Sequence, residues 1–237
     1  MFKFKHRLLK SGILRGKTDI HSHVLPGVDD GSPDMRHSMK LLDYMEVDLG
    51  FRTIWLTPHV MEGNGNTPSR LRKRFDELLT QYEGKMQINL SSEYMMDSHF
   101  HKHLEAGPLR LGEEHLLVET SYLNGPNNLL DILLSVWNLN LKPLIAHPER
   151  YMYMDEKDYQ QLKGLGYEFQ LNLLSLSGYY GPHTKEVAEH LLANGMYDNV
   201  GTDLHHLKRY KDYLHRMRLT RQQIDCLEEL YANNERL

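Results

Sequence analysis

Short apolar runs alternate along the chain with longer amphipathic ones, and the boundaries between them are marked. Asp19 to Val24 alternates Ile20 and Val24 with polar residues before Pro26-Gly27, which predicts a strand. Ser32-Pro33, a cap followed by a first-turn proline, opens a helix to about Gly50 with Met39, Leu42, Met45 and Leu49 at helical spacing. Thr53 to Thr57 predicts a strand stopped by Pro58 and His59. Gly63 to Asn66 reads as a loop, and Thr67-Pro68 opens a helix through Leu71, Phe75, Leu78 and Tyr82 to Gly84. Met86 to Leu90 is a third strand with Glu93 just past it, and Phe100 to Leu104 a short helical piece. The pattern then repeats: strand His115–Thr120, helix Leu129–Leu139, strand Lys142–Ala146 ending at His147, helix Glu156–Leu165 closed by Gly166. Strand Tyr167–Asn172, helix His183–Asn194 and strand Asn199–Thr202 come next, ending at Asp203 and His205. A final amphipathic helix carries Ile224, Leu227, Leu230 and Tyr231.

Strands alternating with helices predict a parallel sheet. Seven such units in 237 residues, without internal repeat or linker, fit one closed or distorted barrel better than two domains. In such barrels chemistry gathers at the C-terminal ends of the strands.

Composition narrows the function. A net charge of −4 gives no basic footprint for nucleic acid, and no apolar run approaches the roughly 18 residues of a membrane span. Residues 1–16 are basic and lack a continuous apolar core or a small-residue cleavage site, so they read as an arm or edge element rather than a signal peptide. The single cysteine, Cys226, excludes an internal disulfide and fits a reducing cytoplasm. Phosphocysteine chemistry would need an arginine six residues on, where Ala232 stands; Cys226 is expected to pack in the core.

The fifteen histidines carry more. On a strand, His21 and His23 point to the same side. His101 and His103 share that spacing, but on a helix residues two apart do not face together, so these two are expected at the surface. The chemical residues at or just past the strand ends are, in chain order, His21, His23 and Asp30, then His59, Glu93, Glu119 and His147, and finally Asp203 and His205. The sixth strand offers only Asn172. An acid at a strand end often caps a helix and a lone histidine is commonly structural, but six strands delivering His, Asp or Glu at one end converge on one cavity. The set is too large for one four-coordinate ion and suits two or three ions sharing carboxylates. Nitrogen and oxygen donors without cysteine suit manganese, iron or zinc. Arg150, three residues past His147, has a planar fork suited to phosphate oxygens, or it could pair with Glu149.

The runs His21-Ser22-His23 with Pro26-Gly27-Val28-Asp29-Asp30-Gly31, Thr57-Pro58-His59, Ile145-Ala146-His147-Pro148-Glu149-Arg150-Tyr151 and Thr202-Asp203-Leu204-His205 resemble the PHP (polymerase and histidinol phosphatase) superfamily. Within it, the match is to the manganese-dependent tyrosine phosphatases of bacterial capsule and exopolysaccharide loci, the CpsB/YwqE type, over roughly residues 17–232. The resemblance implies a distorted (β/α)7 barrel (residues 17–237, after an N-terminal arm of 1–16) holding three metal ions, Mn2+ foremost. It implies one ion on His21, His23, Glu93 and Asp203, with Glu93 bridging to a second on Glu119 and His147, and a third on Asp30, His59 and His205. Arg150 and Asp30 are the candidate catalytic residues. The family tends to carry an arginine shortly after the last DxH, where Lys208 and Arg209 stand here. The implied activity is hydrolysis of protein phosphotyrosine in the cytoplasm, on the tail of a polysaccharide-locus tyrosine kinase. The alternatives are a small-molecule phosphatase such as histidinol-phosphate phosphatase, a nuclease, which the acidic balance disfavours, and a metal-binding regulator without activity.

Overall fold

A computed structural model describes residues 4–237; Met1, Phe2 and Lys3, the start of the expected arm, lie outside the described residues. The strands are β1 (Lys5–Arg7), β2 (Thr18–Asp19), β3 (Thr53–Leu56), β4 (His59–Val60), β5 (Gln87–Leu90) and β6 (Glu93–Met95). They continue with β7 (His115–Glu119), β8 (Lys142–Ala146), β9 (Glu168–Asn172), β10 (Asn199–Gly201) and β11 (Arg218–Thr220). The helices are α1 (Leu8–Ser11), α2 (Met35–Asp43), α3 (Pro68–Leu79), α4 (Phe100–Glu105), α5 (Leu129–Trp137), α6 (Glu156–Gly164), α7 (Pro182–Ala193), α8 (Leu207–Arg216) and α9 (Arg221–Asn234).

The architecture is α/β with parallel sheets. One sheet has the order β10-β9-β8-β7-β6-β4 and a second the order β2-β3-β5. Pro58 has no backbone donor, and at Thr57-Pro58 the chain leaves β3 and resumes as β4 in the other sheet. The two sheets touch at both margins. Glu93 N donates to Pro58 O at 3.1 Å, and Ser22 and Leu204 form a single parallel bridge.

Side chains alternate across the strands, so each sheet has two apolar faces. On β7, Leu116 and Val118 join the large core formed with the helices, while Leu117 between them joins Ile20, Leu111, Leu144 and Ala146 in a separate inner cluster. Both faces of the strands are therefore covered, as the near-continuous apolar runs of parallel strands require.

Local signals explain the helix ends. Thr67 Oγ1 accepts from Arg70 N with Pro68 in the first turn, and Asp155 with Asp158 and Thr220 with Gln223 form reciprocal capping boxes.

The expectations need correction in several places. The first strand is only β2; residues 20–24 run extended beyond it with the lone bridge at Ser22. The helix expected from Ser32 begins at Met35, because Asp34 rather than Ser32 supplies the cap, accepting from His37 N. Its last turn, Tyr44–Leu49, widens to a π-helix ended by Gly50 at φ +76°. Glu93 begins a strand of its own. Helix α8, where Leu207, Tyr210 and Leu214 recur at helical spacing within a mostly polar segment, and the short β1–β11 pair were not among the expected elements. Within the arm, β1 pairs antiparallel with β11, and Leu8, Ile13 and Leu14 are buried, so this segment is an edge element packed on the body. Cys226 packs partly buried against the core, as expected.

Candidate metal centre

All nine expected donors lie in one place, and His59 and Glu93, expected just past strand ends, instead open the short strands β4 and β6. His21 and His23 sit on the extended run after β2, and their Nε2 atoms approach to 3.1 Å. Two glycines permit this close packing. A Cβ on Gly201 would stand 2.5 Å from His21 Cβ, and one on Gly31 would collide with the His23 backbone. The register of β4 on β6 sets His59 directly opposite Glu93, and that of β6 on β7 sets Met95 opposite Glu119. Two donors occupy left-handed backbone without being glycine, His147 at φ +35° and Asp203 at φ +51°. Such strained conformations persist where the surroundings over-determine them, as they do at functional sites.

The distances divide the donors into overlapping groups. Glu93 Oε2 lies 3.2 Å from His21 Nε2, 3.3 Å from His23 Nε2 and 3.1 Å from His59 Nδ1. Its other oxygen lies 2.9 Å from His147 Nε2. Asp203 Oδ1 faces His21 at 3.4 Å, His23 at 3.3 Å and His205 Nδ1 at 3.4 Å. Asp30 Oδ1 stands 3.5 Å from both His59 Nε2 and His205 Nε2, with its side chain 74% exposed at the mouth. His59 thus spans two groups: its Nδ1 is 2.8 Å from Glu119 Oε1 while its Nε2 faces Asp30. Donor atoms within 4.8 Å of one another gather as His21-His23-Glu93, His59-Glu93-Glu119, His21-His147-Asp203 and His23-Asp30-His59-His205.

These residues fit bound cations on two grounds. Buried Glu93 Oε2, both Glu119 oxygens, His59 Nδ1 and His147 Nδ1 have no hydrogen-bond partner, a costly arrangement unless a ligand completes it. The electrostatics point the same way. Burial disfavours charge on Asp203 and Glu93, yet the imidazoles beside them hold both carboxyls well below the usual range. Burial and His23 oppose protonation of His59, but Glu119 and Glu93 outweigh them and push it up to about 10. The acids at this centre attract positive charge strongly. Donors that are all nitrogen or oxygen suit borderline or hard divalent ions.

A second layer orients the donors, and most of it was not read from the sequence. Gln170 Oε1 meets His21 Nδ1 at 2.8 Å and Asp29 Oδ2 meets His23 Nδ1 at 2.9 Å, which turns each Nε2 toward the centre. Asn172, where the donor pattern broke, donates to Asp203 Oδ2 at 2.7 Å. The Asp29-Asp30 doublet, and Gln170 and Asn172 alternating with Phe169 and Leu171 in β9, were the available signals.

Arg150 does not pair with Glu149. Glu149 turns into the core and accepts from the Ser175 and Tyr197 hydroxyls and from Asn172 N, while Arg150 Nη1 donates to Asp203 Oδ2 at 2.8 Å. The guanidinium is sandwiched between the rings of Tyr122 and Tyr180, each 4.2 Å from its carbon. Two-sided stacking fixes its plane beside the donors. Of the cations after Asp203, Arg209 lies over Tyr179 and Lys208 lines a groove beyond His205. His101 is exposed and His103 half-buried, both outside the centre; the surface placement expected for His103 holds only in part.

The class this fold and site define is a parallel α/β scaffold with converging nitrogen and oxygen donors of the kind that can hold metal ions. The chain belongs to the capsular polysaccharide synthesis CpsB/CapC family, whose profile matches residues 17–235. It is 29% identical over 203 residues to the tyrosine-protein phosphatase YwqE of Bacillus subtilis, covering 80% of this chain and 78% of that one. It is also 29% identical over 213 residues to the tyrosine-protein phosphatase CpsB of Streptococcus pneumoniae, covering 83% and 86%. The fold superposes on a solved structure described under YwqE from Bacillus subtilis and CpsB from Streptococcus pneumoniae as unique metal-dependent tyrosine phosphatases. There the TM-score is 0.74 and the identity 26%, with 81% of each chain covered.

Proposed function

We propose that this protein is a metal-dependent phosphatase that hydrolyses protein phosphotyrosine. The observation that carries this reading is the ring of nine converging donors with an arginine fork clamped at its edge. His21, His23, Glu93 and Asp203 would hold one ion, Glu93 also serving a second with Glu119 and His147, and Asp30, His59 and His205 would hold a third, with Asp30 at the mouth also a candidate catalytic residue. Divalent ions so bound supply a water of lowered pKa and draw charge from phosphoryl oxygens. The chain's own residues do the rest. Gln170 and Asp29 fix the tautomers of His21 and His23, and Asn172 with Arg150 holds Asp203 so that Oδ1 faces the imidazoles. Arg150 spends one N–H on Asp203 and keeps others for phosphoryl oxygens, gripping them bidentately.

The two sheets are read as walls of one distorted (β/α)7 barrel, a reading supported by contacts at both margins and by the inner apolar cluster. Manganese is the favoured ion, since mixed imidazole and carboxylate donors suit it better than magnesium. The favoured substrate is the tyrosine-bearing tail of a polysaccharide-locus kinase, met in the cytoplasm. Among the described residues no helix is long and apolar enough to cross a membrane.

Turnover of a phosphotyrosyl peptide, histidinol phosphate and single-stranded DNA tests this directly. The peptide is expected to be the best substrate, chelation to abolish turnover, and manganese to restore it at least as well as magnesium. Full activity after chelation overturns the reading. Arg150→Lys keeps the charge but loses the fork, and kcat is expected to fall about 10²–10³-fold, the scale of one lost oxyanion donor, at unchanged metal content.

A further inference from the structure

The hollow over Arg150 is small, about 200 Å³, and is lined by Arg150, Asp203, Tyr180 and Tyr210 among others. It shares three residues, Asp30, His205 and His206, with a larger groove of about 610 Å³ running between α2 and the start of α8. A carrier whose phosphoryl group lies at the donors can therefore continue along this groove. Pro33, Leu41 and Leu207 give the groove an apolar lining. Of its acidic groups, Asp30 at the junction faces His59 Nε2 and His205 Nε2, each at 3.5 Å. Asp34 caps α2 and is engaged by His37, and Asp29 is taken up by His23, Gly31 N and His59 N. Lys211 on α8 pairs with Asp48, whereas Lys40 and Lys208 at the groove have no carboxylate partner among the described residues. On a chain of net charge −4, an apolar channel edged by two uncommitted ammonium groups is a local exception.

We propose that this groove binds the peptide segment flanking the phosphotyrosine, and that it selects acidic residues with an apolar side chain between them. The inference rests on the phosphotyrosine reading and deepens it by assigning the sequence preference. An apolar side chain loses water against Leu41 and Leu207, and neighbouring carboxylates meet Lys40 and Lys208. A lysine-rich segment meets like charge and is disfavoured by the same geometry.

Two phosphotyrosyl peptides differing only in acidic against lysine flanks, and an aryl phosphate too small to reach the groove, form the test. For the wild-type protein kcat/KM is expected to be about tenfold higher for the acid-flanked peptide, with the preference shrinking as salt rises. Lys40→Glu lies on an exposed position of α2, away from the donors. It is expected to raise KM for the acid-flanked peptide about fivefold, to improve the lysine-flanked one, and to leave the aryl phosphate within twofold. Binding of the unphosphorylated acid-flanked peptide, measured by fluorescence anisotropy, is expected to weaken in parallel. Equal effects of Lys40→Glu on all three substrates, or no wild-type preference between the peptides, overturn the groove assignment while the phosphatase reading stands. If the aryl phosphate and both peptides are never hydrolysed, the phosphatase reading fails instead, and the anisotropy contrast alone then upholds or overturns the groove.

Discussion

The chain contains the pattern histidine, any residue, histidine twice, and the two copies have different surroundings. At His21 and His23 the backbone is extended, both rings are fully buried, and their Nε2 atoms meet at 3.1 Å. At His101 and His103 the backbone is helical, so His103 instead neighbours His99 one turn earlier, with ring centroids 6.3 Å apart, while His101 lies against Phe100. The first pair has an orienting partner for each ring, Gln170 and Asp29, and two carboxylates opposite. The second has no comparable group of donors among the described residues. Spacing alone is therefore not the signal. What makes a ligand pair is spacing multiplied by backbone type, and then by what the fold brings against it.

The sharpest way to break this contrast is to remove one histidine from each copy. His21→Ala is expected to abolish turnover, beyond the roughly 10²–10³-fold that one lost oxyanion donor costs, and to lower bound metal measured by elemental analysis. His101→Ala is expected to leave both within twofold. Comparable losses from the two variants would show that the helical copy had been misplaced.

A smaller effect isolates the orienting partner. Gln170→Leu keeps the volume but frees the His21 ring, and metal affinity is expected to drop about 10–100-fold, the usual cost of losing such a partner. An unchanged affinity would mean that packing by Gly201 and Asp203 holds the ring without help.

The smallest effect concerns a histidine that pairs with an acid away from the donors. His115 Nε2 lies 2.9 Å from Glu168 Oε2, at the far ends of β7 and β9, and this hydrogen bond holds the Glu168 carboxyl below its usual range. A carboxyl depressed in the folded state stabilises the fold above its unfolded value and loses that contribution as pH falls through the folded one. The advantage of the wild type over His115→Ala in denaturant melts is thus expected to be below about 1 kcal/mol near neutrality and to vanish in acid. An advantage that grew toward low pH would contradict the pairing.

Much of the framework was legible because it is locally encoded. Strand β8 falls at the expected Lys142–Ala146, and α3 begins at the expected Thr67-Pro68 signal. Caps and the two-residue period of a strand are properties of neighbouring residues, so they survive in the sequence. The same period places the chemical residues at strand ends, which is why the nine donors could be proposed together. Less legible were α8, α1 and the β1–β11 ribbon, which are short or mostly polar and are stabilised by what they pack against.

What the sequence by itself determined is the supply of groups: imidazoles and carboxylates after successive strands, no thiol among them, and an arginine three residues past His147. The tertiary structure alone decided who meets whom. Arg150 reaches Asp203, 53 positions away, and not its neighbour Glu149; His21 is oriented by Gln170 across 149 positions. Tyr122 and Tyr180 close on the guanidinium from opposite sides, although nothing local to either residue announces it. The physical reason is that secondary structure arises from steric and capping preferences within a few residues. The partners of a buried polar atom are set instead by strand register and the meeting of the two sheets, and only the folded chain as a whole specifies those.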